Sequence, residues 1–192
     1  KTYLYPIDGT HPDDNLIEGK TRDYAFDLST LSFITLQDLD IFAATVTTDV
    51  DAGNHGIGNG ETWVGRYNET DRTTQWPQAH DIIIDGLNFK YVNHFDDTSG
   101  WEQGQWSQAS GVIVSGMNMI IRNCVIEWSS GNGIMLLGND MLCENNIVHS
   151  TNYSGFFCAA INCSHKWQQN NVRVMHNTVW RTGFDGIYAA NV

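Results

Sequence analysis

Gly111-Val-Ile-Val-Ser-Gly-Met-Asn-Met-Ile-Ile-Arg-Asn-Cys-Val-Ile-Glu127 and Gly133-Ile-Met-Leu-Leu-Gly-Asn-Asp-Met-Leu-Cys-Glu-Asn-Asn-Ile-Val-His149 follow one pattern at a spacing of 22 residues. Each opens on a glycine and an alternating apolar run, then continues into a second apolar run broken by a small or amide pair. The opening motif returns as Gly155-Phe-Phe-Cys-Ala and Gly186-Ile-Tyr-Ala-Ala, and the second run as Val174-Met-His-Asn177-Thr-Val-Trp. A period near 22 residues without a helical stripe predicts an all-β solenoid with three short strands in each coil. A hairpin array would need a tight turn signal at every reversal, and the connectors here are unequal.

One coil then reads as strand one over Gly133 to Leu137, a turn at 138–140, and strand two over Met141 to Glu144. A bend at Asn145-Asn146 leads to strand three over Ile147 to His149, and Ser150 to Ser154 close the coil. Asparagine tolerates the left-handed conformation of so tight a bend, and stacked asparagines hydrogen-bond to one another. Asn123, Asn145 and Asn177 are therefore expected to be structural, as consecutive steps of one ladder.

The same phase extends upstream. Residues 1–23 are an irregular lead-in; their Gly19-Lys-Thr lacks the upstream glycine of a phosphate-binding loop. Tyr24 to Leu28, Phe33 to Gln37 and Asp40 to Ala43 supply the three strands of a first coil, and Ile34 to Ile41 align without gaps on Ile82 to Phe89. Asp38 and Gly86 take the place of the bend asparagine. Insertions near 47–79, 92–109 and 161–171 expand the coils, with Thr62-Trp-Val-Gly-Arg-Tyr67 available as a strand one inside the first of them. Val192 stops within an unfinished coil, so further coils or a capping segment are expected beyond it.

A chain of 192 residues that is 41% hydrophobic supports one ordered domain spanning 1–192. Its net charge of −12 argues against a nucleic-acid surface, and no apolar run is long enough to span a membrane. The four cysteines lack metal spacing. Cys143 and Cys158 fall at inward positions, which favours buried free thiols over a Cys158–Cys163 disulfide. The sequons at Asn68, Asn152 and Asn162 bear on the chain only where the source glycosylates.

Taken together, Tyr24-Ala-Phe-Asp-Leu, Ile34-Thr-Leu, Gly131-Asn-Gly133-Ile and Asp185-Gly186-Ile resemble the right-handed parallel β-helix repeat proteins, the pectate-lyase-like group of polysaccharide lyases and glycoside hydrolases. The resemblance covers roughly residues 24–192 and implies a single-stranded right-handed parallel β-helix. The Asn-Thr-Asp, Asp-Asp and Gly-His-Gly signatures of polygalacturonases are missing, as is the pectate-lyase arginine-proline motif, so no catalytic residue carries over.

In such a stack, equivalent residues of neighbouring coils stand one strand spacing apart. One predicted column reads Gln37, Asp85, Arg122, Glu144, His176, an alternation of charge suited to a solvated ladder. A second reads Phe42, Lys90, Glu127, His149, Arg181. A carboxylate beside an imidazole and a guanidinium makes Glu127, His149 and Arg181 candidate catalytic groups, with a plain ion-pair ladder as the alternative. Tyr153 and Asp185 lie in the adjoining connectors.

The expected outer face of strand one carries Ile113, Ser115, Met135, Leu137, Phe157, Ala159, Tyr188 and Ala190, an uncharged strip that needs a cover. The 92–109 insertion brings His94, Asp96, Asp97 and Glu102 between Trp101 and Trp106, and the 161–171 insertion brings Trp167. Aromatic faces stack on sugar rings, and paired carboxylates cleave glycosidic bonds or bind calcium. The alternative is a polar loop whose tryptophans pack down on the strip. The resulting expectation is an extracellular protein that cleaves a polysaccharide. Asp96 or Asp97 stands opposite Glu127, while Trp101, Glu102, Trp106, Tyr153, Trp167, Asp185 and Tyr188 contact the sugar. No cofactor is assigned, and calcium is an option. Hydrolysis is favoured over lyase chemistry because the chain is acidic and poor in lysine; the alternative is a non-catalytic glycan-binding or adhesion module.

Overall fold

The computed structural model describes residues 11, 24–48, 67–68, 73–74, 79–92, 111–153, 158–164 and 170–190. Every regular element among them is a strand: β1 (Tyr24–Asp27), β2 (Ser32–Gln37), β3 (Asp40–Phe42), β4 (Thr45–Thr47), β5 (Tyr67–Asn68), β6 (Thr73–Thr74), β7 (His80–Asp85), β8 (Asn88–Lys90), β9 (Val112–Arg122), β10 (Val125–Ser129), β11 (Ile134–Glu144), β12 (Ile147–Thr151), β13 (Ala159–Ser164), β14 (Val172–Met175), β15 (Thr178–Thr182) and β16 (Asp185–Ala190). No described helix is long and apolar enough to cross a membrane.

The strands form two sheets of parallel pairs, and the chain passes from one to the other and back. The first sheet runs β1-β4-β9-β11-β13-β16, with β2, β7 and β14 pairing beside it, and the second runs β15-β12-β10-β8-β3. A small antiparallel pair of β5 with β6 stands apart. Val112 pairs with Ile134 and Met119 with Met141 along β9 and β11, and Val125 pairs with Ile147 along β10 and β12. The upstream alignment also holds, with Ile34 opposite Ile82 and Ile41 opposite Phe89.

Period-two alternation places one side chain in two inside. Ile41, Phe89, Ile126 and Val148 of the second sheet join Ile84, Ile121, Cys143 and Leu136 of the first in one core. At roughly 25 cal/mol per Å² of apolar surface removed from water, this column supplies the main driving force for stacking. The outer side of β9 and β11 is also buried: Ile113, Met135 and Leu137 form a second cluster with Tyr24 packed against it. The strip expected to need a cover thus has one, contributed in part by the first strand.

The bends are single residues in the left-handed conformation, arranged in three columns. Phe33, Asp81, Asn118, Asp140 and Asn171 form one, Asp38, Gly86, Asn123, Asn145 and His176 the next, and Ala43, Tyr91, Trp128, Ser150 and Arg181 the third, all with φ between 52° and 73°. One such residue turns the chain without breaking the ladder, which is why β11 runs continuously through the turn expected at 138–140, and β9 through the equivalent bend at Asn118.

Next to the second column lies a buried amide ladder. Asn146 Oδ1 accepts from the Cys124 amide at 3.0 Å while its Nδ2 donates to Ile121 O at 3.2 Å. One strand further, Asn177 Oδ1 accepts from the Asn146 amide at 2.9 Å and its Nδ2 donates to Cys143 O at 2.9 Å. Asn145 and Asn123 form a separate, exposed ladder, joined at 2.7 Å. Asn177 therefore stacks on Asn146 and not, as expected, on Asn145; His176 occupies the bend instead.

One other expectation is corrected, and two are narrowed. Ile161, not Phe156, pairs with Ile134, so Ala159–Ser164 is the strand; it takes in the first residues of the expected 161–171 insertion. Thr45–Thr47 supplies a strand between β1 and β9, since Thr47 pairs with both Asp27 and Ile113, while 62–66 of the available Thr62–Tyr67 stretch lie outside the described residues. Of the sequons, Asn152 and Asn162 are buried, and Asn162 Nδ2 donates to Asn132 Oδ1 at 3.1 Å, so neither accepts a glycan in the folded chain.

All four cysteines are buried free thiols. Burial pushes Cys124 and Cys163 up to about 11 and Cys143 up to about 12. A thiol protonated when folded but ionising near 9 when unfolded adds stability that is fully present below pH 9 and lost as the pH rises toward the folded value. Between about pH 8.5 and 10, one such group removes about 1 kcal/mol. Urea titrations at the two pH values should show Cys143→Ala with a correspondingly shallower loss than the parent; equal losses would contradict the burial of this thiol.

Replacing Asn146 by alanine strands the Cys124 amide and the Ile121 carbonyl in the core and should cost about 2–4 kcal/mol. Asn145→Gly, at an exposed left-handed site, should stay within about 0.5 kcal/mol. Chemical denaturation of the two variants checks the contrast.

Candidate functional site

Alternation that sends Ile126 and Val148 inward sends their neighbours out, and the register of the second sheet lines those neighbours up. Phe42 lies opposite Lys90, Lys90 opposite Glu127, Glu127 opposite His149, and His149 opposite Trp180. Glu127 Oε1 is 3.2 Å from Lys90 Nζ, and Oε2 is 3.5 Å from His149 Nε2. His149 Nδ1 lies 3.1 Å from Ser150 Oγ, and its ring stacks on Trp180 with centroids 4.3 Å apart. The imidazole is held on three sides by its neighbours, which fixes the ring that faces Glu127.

The row one residue further on is the third left-handed column. Tyr91 meets Phe42 edge-on at 5.5 Å, sits 6.3 Å from Trp128 at a 30° tilt, and receives Lys90 Nζ at 5.8 Å from its ring centre. Phe42, Tyr91, Trp128 and Trp180 are all exposed, at 64%, 42%, 40% and 41%. The outer face of the second sheet is thus a strip of aromatic rings with one cation–carboxylate–imidazole row through it.

Bulky residues are poor occupants of the left-handed region, and each costs on the order of 1–2 kcal/mol there. The first two columns answer this mainly with Asp, Asn and Gly. The third has none of these: it holds Ala43, Tyr91, Trp128, Ser150 and Arg181. Strain kept at several positions of one column makes this surface a candidate for a task beyond turning the chain.

Among the expected site residues, the structure brings Glu127 and His149 together. Arg181 is displaced from their row: because His176 and not Asn177 makes the fifth bend, Trp180 lines up with His149 and Arg181 falls on the strained column. For the same reason Glu144 lies opposite Met175, so His176 leaves the Asp85–Arg122–Glu144 column. Asp85 and Arg122 do pair, at 2.9 Å, and the Asn123 hydrogen bond first and Arg122 second hold the Asp85 carboxyl below its ordinary value.

Tyr153 is exposed in the connection that leaves β12. Asp185 and Tyr188 belong to the first sheet, opposite Ala159 and Asn162, and stand outside the row. Asp96, Asp97, Trp101, Glu102, Trp106 and Trp167 lie outside the described residues, as do Phe156 and Phe157. Among the described residues, no three His, Cys, Asp or Glu side chains gather as a metal site would require. Tyr91, Trp128 and Trp180 were missed on sequence: alternation after Val179 marks Trp180 as facing out, but after Phe89 and Ile126 it sends Tyr91 and Trp128 inward, and their left-handed backbone is what turns them out.

If Arg181 is held in its conformation at a cost, Arg181→Asn should stabilise the fold by about 0.5–1 kcal/mol, since asparagine relieves the backbone and little packing is lost. A thermal midpoint that falls instead would show the column to be unstrained.

Comparison with protein-family models, with curated proteins and with solved structures finds no match to this chain.

Proposed function

We propose that the chain is a right-handed parallel β-helix of the pectate-lyase-like kind, and that the outer face of its second sheet binds and cleaves a polysaccharide outside the cell. The strand order supports the fold reading: three strand columns, each paired one passage of the chain after another, divided by three columns of left-handed bends. The observation that carries the functional reading is the exposed aromatic strip of Phe42, Tyr91, Trp128 and Trp180 around Glu127 and His149. Aromatic faces bind the apolar faces of sugar rings, and a carboxylate within reach of an imidazole moves protons at a glycosidic oxygen.

In this reading Glu127 is one member of a hydrolase pair and Asp96 or Asp97 the other, while His149 positions Glu127. Hydrolysis ranks ahead of elimination. A second reading rests on a specific contact: both oxygens of Glu127 are engaged, by Lys90 and His149, which suits a charge row that supports a non-catalytic binding face. Calcium, if it enters, belongs to the 92–109 insertion.

Reducing-end release and unsaturated-uronate absorbance across a polysaccharide panel, with pull-down on the same polymers, decide between these. Glu127→Gln should lower turnover about a hundredfold or more while binding persists. Binding without turnover by the parent selects the second reading. A parent that neither binds nor cleaves any polymer of a broad panel sinks both.

A further inference from the structure

The strip has a direction and a length. Its outward row passes through Phe42, Lys90, Glu127, His149 and Trp180, one residue from each of five paired strands, so it runs across the strands and along the stacking axis. Four strand spacings of about 4.8 Å make it about 19 Å long. A sugar unit in an extended, equatorially linked chain advances by nearly one such spacing. Aromatic side chains stand at both ends of the row, Phe42 and Trp180, and Tyr91 and Trp128 flank its middle on the neighbouring column.

The charges of the row are internally matched, with Lys90 at 3.2 Å from Glu127. Arg181 sits at one end only, on a chain of net charge −12, and is a weak attractor for a polyanion. Deepening the polysaccharide reading above, on which this rests, we infer that the ligand is a neutral, extended glycan lying along the stacking axis. It covers about five consecutive sugars, one per strand. The end rings act as the outermost subsites, and the Glu127–His149 contact lies under the inner sugars.

The probe is a ladder of neutral oligosaccharides, cello-, xylo- and manno-, from disaccharide to hexasaccharide, titrated calorimetrically into the full chain at low and high salt. Affinity should rise with length and level off at about five units, with little dependence on salt. Trp180→Ala, and separately Phe42→Ala at the opposite end, should lower pentasaccharide affinity about three- to tenfold and leave the trisaccharide within about twofold. A purely structural role for either ring would weaken all lengths alike. Should Trp180→Ala fail to fold, Trp180→Leu and the Phe42 variant carry the same readout. Affinity that is flat with length, or confined to uronate or sulfated chains, overturns this inference while leaving the polysaccharide reading standing. Absence of binding to any glycan, neutral or charged, removes that reading as well.

Discussion

The amide ladder of Asn146 and Asn177 closes the bend between the two sheets at the later strands, β10, β12 and β15, where Leu39 and Leu87 hold the same place in the earlier ones. At the bend between the sheets the chain turns within two residues, and the backbone groups on the inside of that turn are cut off from water. An unpaired buried amide or carbonyl costs about 1–3 kcal/mol. Asparagine carries a donor and an acceptor on one short side chain, and here each of them serves a neighbouring strand: the acceptor takes an amide from the strand below and the donor reaches the carbonyl three residues before that amide. The repeat of this arrangement from Asn146 to Asn177 fixes both the vertical spacing and the register. Where the ladder meets Cys124, the thiol lies 3.1 Å from Arg122 O and 3.8 Å from Ile84 O, a weak echo of the amide donor.

Register then decides everything on the outer face. Because side chains alternate, a shift of one residue exchanges inside for outside. The first four strands of the second sheet could be aligned from the sequence because Ile41, Phe89, Ile126 and Val148 fall at the same distance from their bends. The fifth could not, because two adjacent asparagines offer two ways to align the single Asn177. Its exposed and buried equivalents, Asn145 and Asn146, look alike in sequence but differ in burial, and only the buried one needs a partner at that position. That one-residue ambiguity moved Arg181 into the row and Trp180 out of it. Similar causes hid two strands: Thr45–Thr47 is too short to show alternation, and Ala159–Ser164 opens without the glycine that marks Gly111 and Gly133. Next to Gly133 stands Ala160, whose carbonyl accepts from the Gly133 amide at 3.1 Å, so a small residue without the motif does the same work.

The composition of the third bend column follows a different logic from the other two. Asp81 with Asn118, Asp140 with Asn171, and Asn123 with Asn145 pair side chain to side chain up the first two columns, so the residues that lower the strain also add cross-strand hydrogen bonds. In those columns local conformational preference and tertiary contact agree. In the third they conflict. Tyr91, Trp128 and Arg181 gain little from the left-handed backbone, yet that backbone points each side chain out of the sheet beside the Lys90–Glu127–His149 row. An ordinary strand residue at the same place would direct the side chain along the alternation, into the core or level with the row, and the second tier of rings would be lost. Folding stability alone would have favoured aspartate, asparagine or glycine in this column, as in most positions of its neighbours, where Phe33 and His176 are the exceptions. The rings and the row therefore form one unit, in which the left-handed backbone sets the position of an aromatic surface and the Lys90–Glu127 pair lies alongside it.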